Sequence, residues 1–108
     1  MPLDFEALSD WDFEEIRQSL TERDTILYAL GLGFGEDPTD KKELAFVYED
    51  GLKAVPSMAV TMGYPGFWLR DPRTGVNWQQ VLHGEQWLDI YKPLPVNGNI
   101  IGRSKIDF

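Results

Sequence analysis

The side chains that could perform acid or base chemistry are few and scattered along the chain. Its 108 residues include a single histidine, His83, and no cysteine. The lack of cysteine excludes disulfides, thiolate nucleophiles and cysteine–zinc sites, and it fits a reducing compartment. One imidazole and dispersed carboxylates supply no closed set of metal ligands, so the sequence predicts neither a metal nor a cofactor.

Two neighbouring carboxylates, Glu49 and Asp50, suggest an acid pair of the glycosidase type. Adjacent residues on a strand point to opposite faces, so these two side chains are not expected to share one substrate. At a strand end beside the Asp50-Gly51 turn, a carboxylate such as that of Glu49 can satisfy local backbone donors without doing chemistry. We therefore favour a structural role for Glu49 over an acid or base role.

The charge of the chain is strongly negative. Ten Lys and Arg against eighteen Asp and Glu give −8, which repels nucleic acid and anionic membrane surfaces at long range. Local cations can still hold one anionic ligand within the short screening distance. Six are available for this, with a solvated surface as the alternative: Lys53, Arg70, Arg73, Lys92, Arg103 and Lys105.

A capped helix is the clearest element that could position these groups. Thr21 is followed three residues later by Asp24, and apolar residues then recur at helical spacing. The pattern predicts a helix at about residues 22–32, packed through Ile26, Leu27 and Leu30. Gly31, Gly33 and Gly35 follow a helix and do not precede one, so they indicate a C-cap and an exit loop, not a nucleotide-binding loop.

Further signals predict short strands, a second helix and a long loop. Residues 11–19 are predicted to form a strand or an extended lead-in, and residues 44–48 a strand ended by a turn at Asp50-Gly51. Pro56 can open a helix that carries Met58, Val60 and Met62. Residues 64–75 have loop composition, and within them Phe67-Trp68-Leu69 is either an anchor on the core or the wall of an apolar pocket.

The last quarter of the chain is predicted to form a hairpin. Residues 87–91 are strand-like, Asn97-Gly98 is a strong hairpin signal, and Ile100, Ile101, Ile106 and Phe108 would continue the second strand. A strand that stops at Phe108 would leave unpaired backbone groups, so we expect the chain to be incomplete. Its acidic start lacks the pattern of a secretory signal, and we expect a cytoplasmic location or the interior of an organelle.

Three blocks of the chain carry a family resemblance. They are residues 21–33, Phe46-Val47-Tyr48-Glu49, and Leu82-His83-Gly84-Glu85-Gln86-Trp87-Leu88-Asp89-Ile90-Tyr91-Lys92-Pro93-Leu94-Pro95. Together they resemble the N-terminal half of the MaoC-like, type 2 enoyl-CoA hydratases. The third block is long and holds rare residues in fixed order, which makes chance a poor explanation.

The resemblance implies an α+β hot-dog fold, an antiparallel sheet wrapped on a central helix. Residues 1–19 would be an acidic lead-in, and residues 20–108 the N-terminal part of the hot-dog domain, ending within a strand. The family adds water to a trans-2-enoyl-CoA to give the (3R)-hydroxyacyl-CoA. That reaction needs proton transfer and stabilisation of a developing oxyanion, and the family supplies the proton transfer from an Asp-x-Asn-Pro-x-His motif in its second half.

That motif does not occur in this sequence, which has no Asn-Pro pair. The resemblance therefore implies a substrate-binding contribution in fatty-acyl or sterol side-chain oxidation, with His83 and Gly84 against the acyl-CoA and Glu49 as a third candidate. The alternative for His83 is a histidine satisfied by a backbone carbonyl. Expected partners are acyl-CoA and the C-terminal hot-dog half or a second hot-dog subunit, in a homo-oligomer. The competing function is a non-catalytic subunit that binds acyl-CoA or scaffolds a catalytic partner.

Overall fold

The computed structural model describes residues 3–107 and confirms the α+β class. Within that range, three α-helices and two strands follow in the order α1, β1, α2, α3, β2, with four short 3-10 helices between α3 and β2. Their bounds are Phe5–Ser9 (α1), Ile16–Leu20 (β1), Glu22–Gly31 (α2), Lys41–Leu44 (α3) and Gly98–Gly102 (β2). The 3-10 helices are Pro56–Thr61, Trp68–Arg70, Pro72–Thr74 and Trp78–Gln80.

The sheet joins the two ends of the chain. Strand β1 pairs antiparallel with β2, with Ile16 opposite Gly102 and Leu20 opposite Gly98. The strand predicted within residues 11–19 is thus confirmed from Ile16 onward. The hairpin predicted at Asn97-Gly98 is wrong, because this turn leads into a strand that pairs with distant β1 and not with the segment before it.

The segment before the turn forms no strand. Residues 81–90 are exposed and have no regular secondary structure, so the strand predicted at residues 87–91 is also wrong. Pro93 and Pro95 explain the failure of the hairpin, since neither has an N–H to give to a ladder at its position. The predicted continuation of the last strand is confirmed for Ile100 and Ile101. It is wrong for Ile106, which lies beyond the end of the strand at Gly102, and Phe108 lies outside the described residues.

Helix α2 is the predicted helix, with the predicted N-terminal cap. The Thr21 hydroxyl accepts from the Asp24 backbone N–H at 3.1 Å, and the Asp24 carboxylate accepts from the Thr21 backbone N–H at 2.9 Å. This reciprocal pairing satisfies donors that a helix start otherwise leaves free. The helix ends in the predicted glycine-rich exit, where Gly33 has a φ of +97°.

The buried face of α2 differs from the prediction. Thr25 and Ala29 are fully buried, whereas Leu27 and Leu30 are about half exposed, at 52% and 50%. The face that is covered carries small side chains because the chain near Val96 approaches it closely enough for a hydrogen bond from the Thr25 hydroxyl. The predicted packing of the helix is therefore wrong for Leu27 and Leu30, whereas the third predicted residue, Ile26, is half-buried.

Residues 44–48 fold helically, so the strand predicted there is wrong. The Asp40 carboxylate caps α3 by accepting from the backbone N–H groups of Lys42 and Glu43. Helical bonding then continues past the helix, with the Tyr48 N–H donating to the Leu44 carbonyl at 2.9 Å. This local capping outweighs the β propensity of the run. The turn predicted at Asp50-Gly51 is confirmed.

Two other predictions are confirmed in this part of the chain. Pro56 opens a helix of the 3-10 type that contains Val60 and the buried Met58, whereas Met62 lies after its end. In the long loop, Trp68 packs edge-on against Phe13, with ring centroids 5.0 Å apart, and lies 5.7 Å from the Trp11 ring. The anchor interpretation therefore holds for Trp68, which fastens the loop to the N-terminal segment.

Candidate functional site

A groove of about 660 Å³ lies between two segments of the described chain. One side is formed by residues between Leu52 and Pro56, and the other by residues between Ile90 and Val96. Phe46 also lines it. The lining is mainly apolar and includes two cations, Lys53 and Lys92, which is the composition of a site for an apolar ligand with a few polar fixing points.

Three contacts hold the walls of this groove. The Thr25 hydroxyl of α2 donates to the Val96 carbonyl at 2.8 Å, and the Lys53 backbone N–H donates to the Ala45 carbonyl at 2.8 Å. The hydroxyls of Tyr28 and Ser57 share a hydrogen bond of 2.8 Å. Helix α2 and the turns after α3 thus fix both sides.

The two lysines of the groove differ from the other four cations named in the sequence analysis, because each of those four has a partner. Arg73 and Arg103 bind Asp71 and Glu15 at 2.7 and 3.0 Å. Lys105 lies 3.4 Å from Asp107, and the Arg70 guanidinium lies 4.8 Å from the centre of the Trp78 ring.

Lys53 and Lys92 are the two of these six that have no ion pair or ring contact with a described residue. Both lie in the groove. The sequence named them as free cations but gave no sign that they share a site, because about forty residues separate them.

The residues predicted to touch a ligand lie elsewhere. His83 is exposed, and its Nε2 shares a hydrogen bond of 3.0 Å with the Gln86 Oε1, a side-chain partner in place of the predicted backbone carbonyl. Gly84 is exposed, and a Cβ added to it would meet no atom within 4 Å. Glu49 is exposed and follows helical turns instead of a strand. None of the three lines the groove formed by the described residues.

Hydrogen bonds from nearby residues lower the pKa of three carboxylates. The pKa of Asp24 lies below its ordinary value because the Thr21 backbone N–H and hydroxyl both donate to its carboxylate. Hydrogen bonds from Thr39 lower the pKa of Asp37, and those from Arg73 lower the pKa of Asp71. A lowered pKa keeps these groups ionised near neutral pH, which suits them to local capping and not to proton transfer.

Residues 3–107 lack two further kinds of feature. No cluster of three or more His, Cys, Asp or Glu side chains there could hold a metal ion. No helix in the same range is long and apolar enough to cross a membrane.

Known proteins match nearly the whole chain. Residues 18–107 match the family model described as MFE-2 hydratase 2 N-terminal domain. The chain is 36% identical over 96 residues to the peroxisomal enoyl-CoA hydratase 2 of Arabidopsis thaliana, covering 82% of this chain and 31% of that protein. It is 35% identical over 114 residues to the probable enoyl-CoA hydratase 2 of Dictyostelium discoideum, covering 98% and 36%.

A larger relative shows the same partial coverage. The chain is 36% identical over 88 residues to the peroxisomal multifunctional enzyme type 2 of Mus musculus, covering 76% of this chain and 12% of that protein. The chain thus spans about a third of the length of the two plant and amoebal relatives. The matched range contains all three blocks on which the resemblance depended. This chain belongs to the MaoC-like type 2 enoyl-CoA hydratase family and corresponds to its hydratase 2 N-terminal domain.

Proposed function

We propose that this chain is the substrate-binding half of an enzyme that adds water to a trans-2-enoyl-CoA to give the (3R)-hydroxyacyl-CoA. The observation that carries the proposal is the match of residues 18–107 to a hydratase 2 N-terminal domain. Two relatives named enoyl-CoA hydratase 2 support it. The reaction belongs in the oxidation of fatty-acyl chains or sterol side chains.

The chemistry requires a second contributor. A water molecule must lose a proton as it attacks the β-carbon, and the α-carbon must gain one. This sequence lacks the Asp-x-Asn-Pro-x-His motif of the family, and its one histidine is exposed and bonded to Gln86. We therefore assign proton transfer to a C-terminal hot-dog half or a second hot-dog subunit, and substrate binding to this chain.

The proposed complete unit is a hot-dog fold. In it, residues 20–108 contribute the first part of the sheet and its helix, and residues 1–19 form the lead-in. The exposed leucines of α2 and the exposed apolar residues Leu82, Trp87 and Tyr91 support this proposal, since they are surfaces that further sheet and partner packing would cover. A homo-oligomer of such units remains our proposal.

The compartment is part of the proposal as well. A cytoplasmic location stays a prediction. The peroxisomal names of the plant and mouse relatives favour the other compartment considered, an organelle interior.

Gly84 offers a test of the predicted ligand contacts. Together with His83 and Glu49, it is our candidate for direct contact with acyl-CoA, and its exposed backbone leaves space for a ligand. Gly84→Val should weaken decanoyl-CoA binding about tenfold by crowding the ligand, a change of about 1.4 kcal/mol. Calorimetric titration measures the affinity. The melting temperature should stay unchanged because a Cβ added at this exposed position meets no atom within 4 Å. Unchanged affinity would remove the His83-Gly84 pair from the site.

Transfer of the chain into a relative tests the function itself. Residues 1–108 would replace the matching segment of the Dictyostelium relative, and hydration of trans-2-decenoyl-CoA would be followed by the loss of its conjugated absorbance. We expect turnover by the graft, and none by the relative with the segment deleted or by the 108-residue chain alone. Turnover by the chain alone would overturn the division of labour, because His83 or Glu49 would then do the acid and base work.

The same graft distinguishes the hydratase function from the competing function of a non-catalytic subunit. A graft that melts cooperatively and binds decanoyl-CoA but hydrates nothing would contradict the hydratase half. It would identify a subunit that only binds acyl-CoA or scaffolds a partner. The absence of the catalytic motif from this sequence is the observation that favours this second candidate.

A further inference from the structure

We propose that the groove between residues 52–56 and 90–96 binds an amphipathic anion, with Lys53 and Lys92 holding its anionic head and the apolar walls holding its chain. The identification of this ligand as an acyl-CoA, whose phosphates would meet the two lysines, rests on the proposed function. The groove itself is defined by the described residues alone.

Charge is the first support for this assignment. The chain carries −8 overall, so a general attraction for anions is not expected. Against this background two lysines line one groove, and neither has a carboxylate partner among residues 3–107. Cations that line one groove and lack counter-ions attract an anionic group placed in that groove.

The walls are the second support. Phe46, Leu52, Pro56 and Leu94 supply apolar surface beside the lysines. A volume of about 660 Å³ lies within the range of ligand sites. A purely inorganic anion would leave this apolar surface in water, whereas an anion joined to a hydrocarbon chain covers it and gains from its burial.

Rigidity is the third support. Pro93 and Pro95 fix two φ angles in the wall that contains Lys92, and the Thr25 hydroxyl fastens the end of this wall through the Val96 carbonyl. On the opposite side, the backbone of Lys53 is bonded to Ala45. The stems of both lysines thus start from held backbone, which lowers the entropic cost of binding.

Paired lysine variants test the inference on the 108-residue chain. Binding of decanoyl-CoA, decanoate and the uncharged decanoyl thioester of N-acetylcysteamine would be measured by calorimetry at low and high ionic strength. Lys53→Gln combined with Lys92→Gln should weaken decanoyl-CoA binding about tenfold and flatten its salt dependence. The matched control is Lys41→Gln combined with Lys42→Gln, which removes the same charge on α3 and should change the affinity less than twofold.

The three ligands separate the sources of the anionic head. A loss confined to decanoyl-CoA supports recognition of CoA phosphates, and an equal loss for decanoate supports the same groove with a carboxylate head. An equal loss for the uncharged thioester, an equal loss in the control pair, or unchanged affinity would each overturn the role of the lysines. Hydration by the graft is a separate measurement. If the graft turns over substrate but the lysine substitutions do not change the affinity, only the groove proposal is refuted. If the lysine substitutions weaken binding but the graft has no turnover, only the hydratase proposal is refuted.

Discussion

Replacing Gly102 with alanine is expected to lower the free energy of unfolding by about 2–3 kcal/mol. A Cβ at this position would lie 2.6 Å from the Gly63 Cα and 2.7 Å from the Gly63 carbonyl oxygen. Atoms in real structures do not approach this closely, and the obstacle is backbone, which cannot rotate aside as the end of a side chain can. Relief requires that β2 or the chain around Gly63 move away.

The contact is tight from both sides. A Cβ on Gly63 would lie 2.7 Å from the Gly102 Cα, and Gly63 has a φ of +64°, which other residues adopt at a cost. The Gly63 N–H donates to the Gln18 side-chain oxygen of β1 at 2.9 Å. Gly63 is therefore held against the two-stranded sheet, and a side chain on either glycine would separate it from this sheet.

Urea unfolding followed by circular dichroism measures the loss. Gly31→Ala is the matched control because a Cβ there meets no atom within 4 Å and the residue is the last of α2. Alanine at a helical position should leave the stability unchanged or raise it by about 0.5–1 kcal/mol. Equal effects of the two substitutions would show that the glycine contact does not exist in solution.

The elements that sequence reasoning located were those with local causes. Helix α2 follows from Thr21 and Asp24, three residues apart, and the turn at Gly51 follows from a single pair. The pairing of β1 with β2 joins residues about eighty positions apart, and no local signal distinguishes that partner from the nearer segment at residues 87–91. The strand expected at residues 44–48 does not form because the cap at Asp40 starts a helix there and outweighs the β propensity of the run.

The candidate site also has features that the sequence predicts and features that only the fold shows. The family was predicted from long blocks of residues in fixed order, which can be recognised without knowledge of the fold. Lys53 and Lys92 were recognised as cations, yet their shared groove depends on how the chain returns to α2 near Val96. The ligand contacts of His83, Gly84 and Glu49 stay predictions, since they depend on a ligand and not on contacts within the chain.

One substitution can weaken the contact between helix α2 and the chain near Val96. Thr25 is fully buried, and its hydroxyl donates to the Val96 carbonyl at 2.8 Å, across 71 positions of sequence. Thr25→Val preserves the shape and the β-branch but leaves that carbonyl without its donor, so we expect a loss of about 1–3 kcal/mol in the free energy of unfolding. Urea unfolding measures it. Thr61→Val is the control, because Thr61 is exposed and its bond to the Met58 carbonyl is local.

The control should cost less than about 0.5 kcal/mol, as is usual for exposed positions. Equal losses in the two variants would mean that the bond to Val96 stabilises the chain no more than a local one. Because Val96 also lines the groove, Thr25→Val should in addition weaken decanoyl-CoA binding at temperatures where the variant is still folded. A destabilised variant with unchanged affinity would separate the contact on α2 from the ligand site. Loss of both stability and affinity would show that one hydroxyl connects helix α2 with the groove wall that contains Lys92.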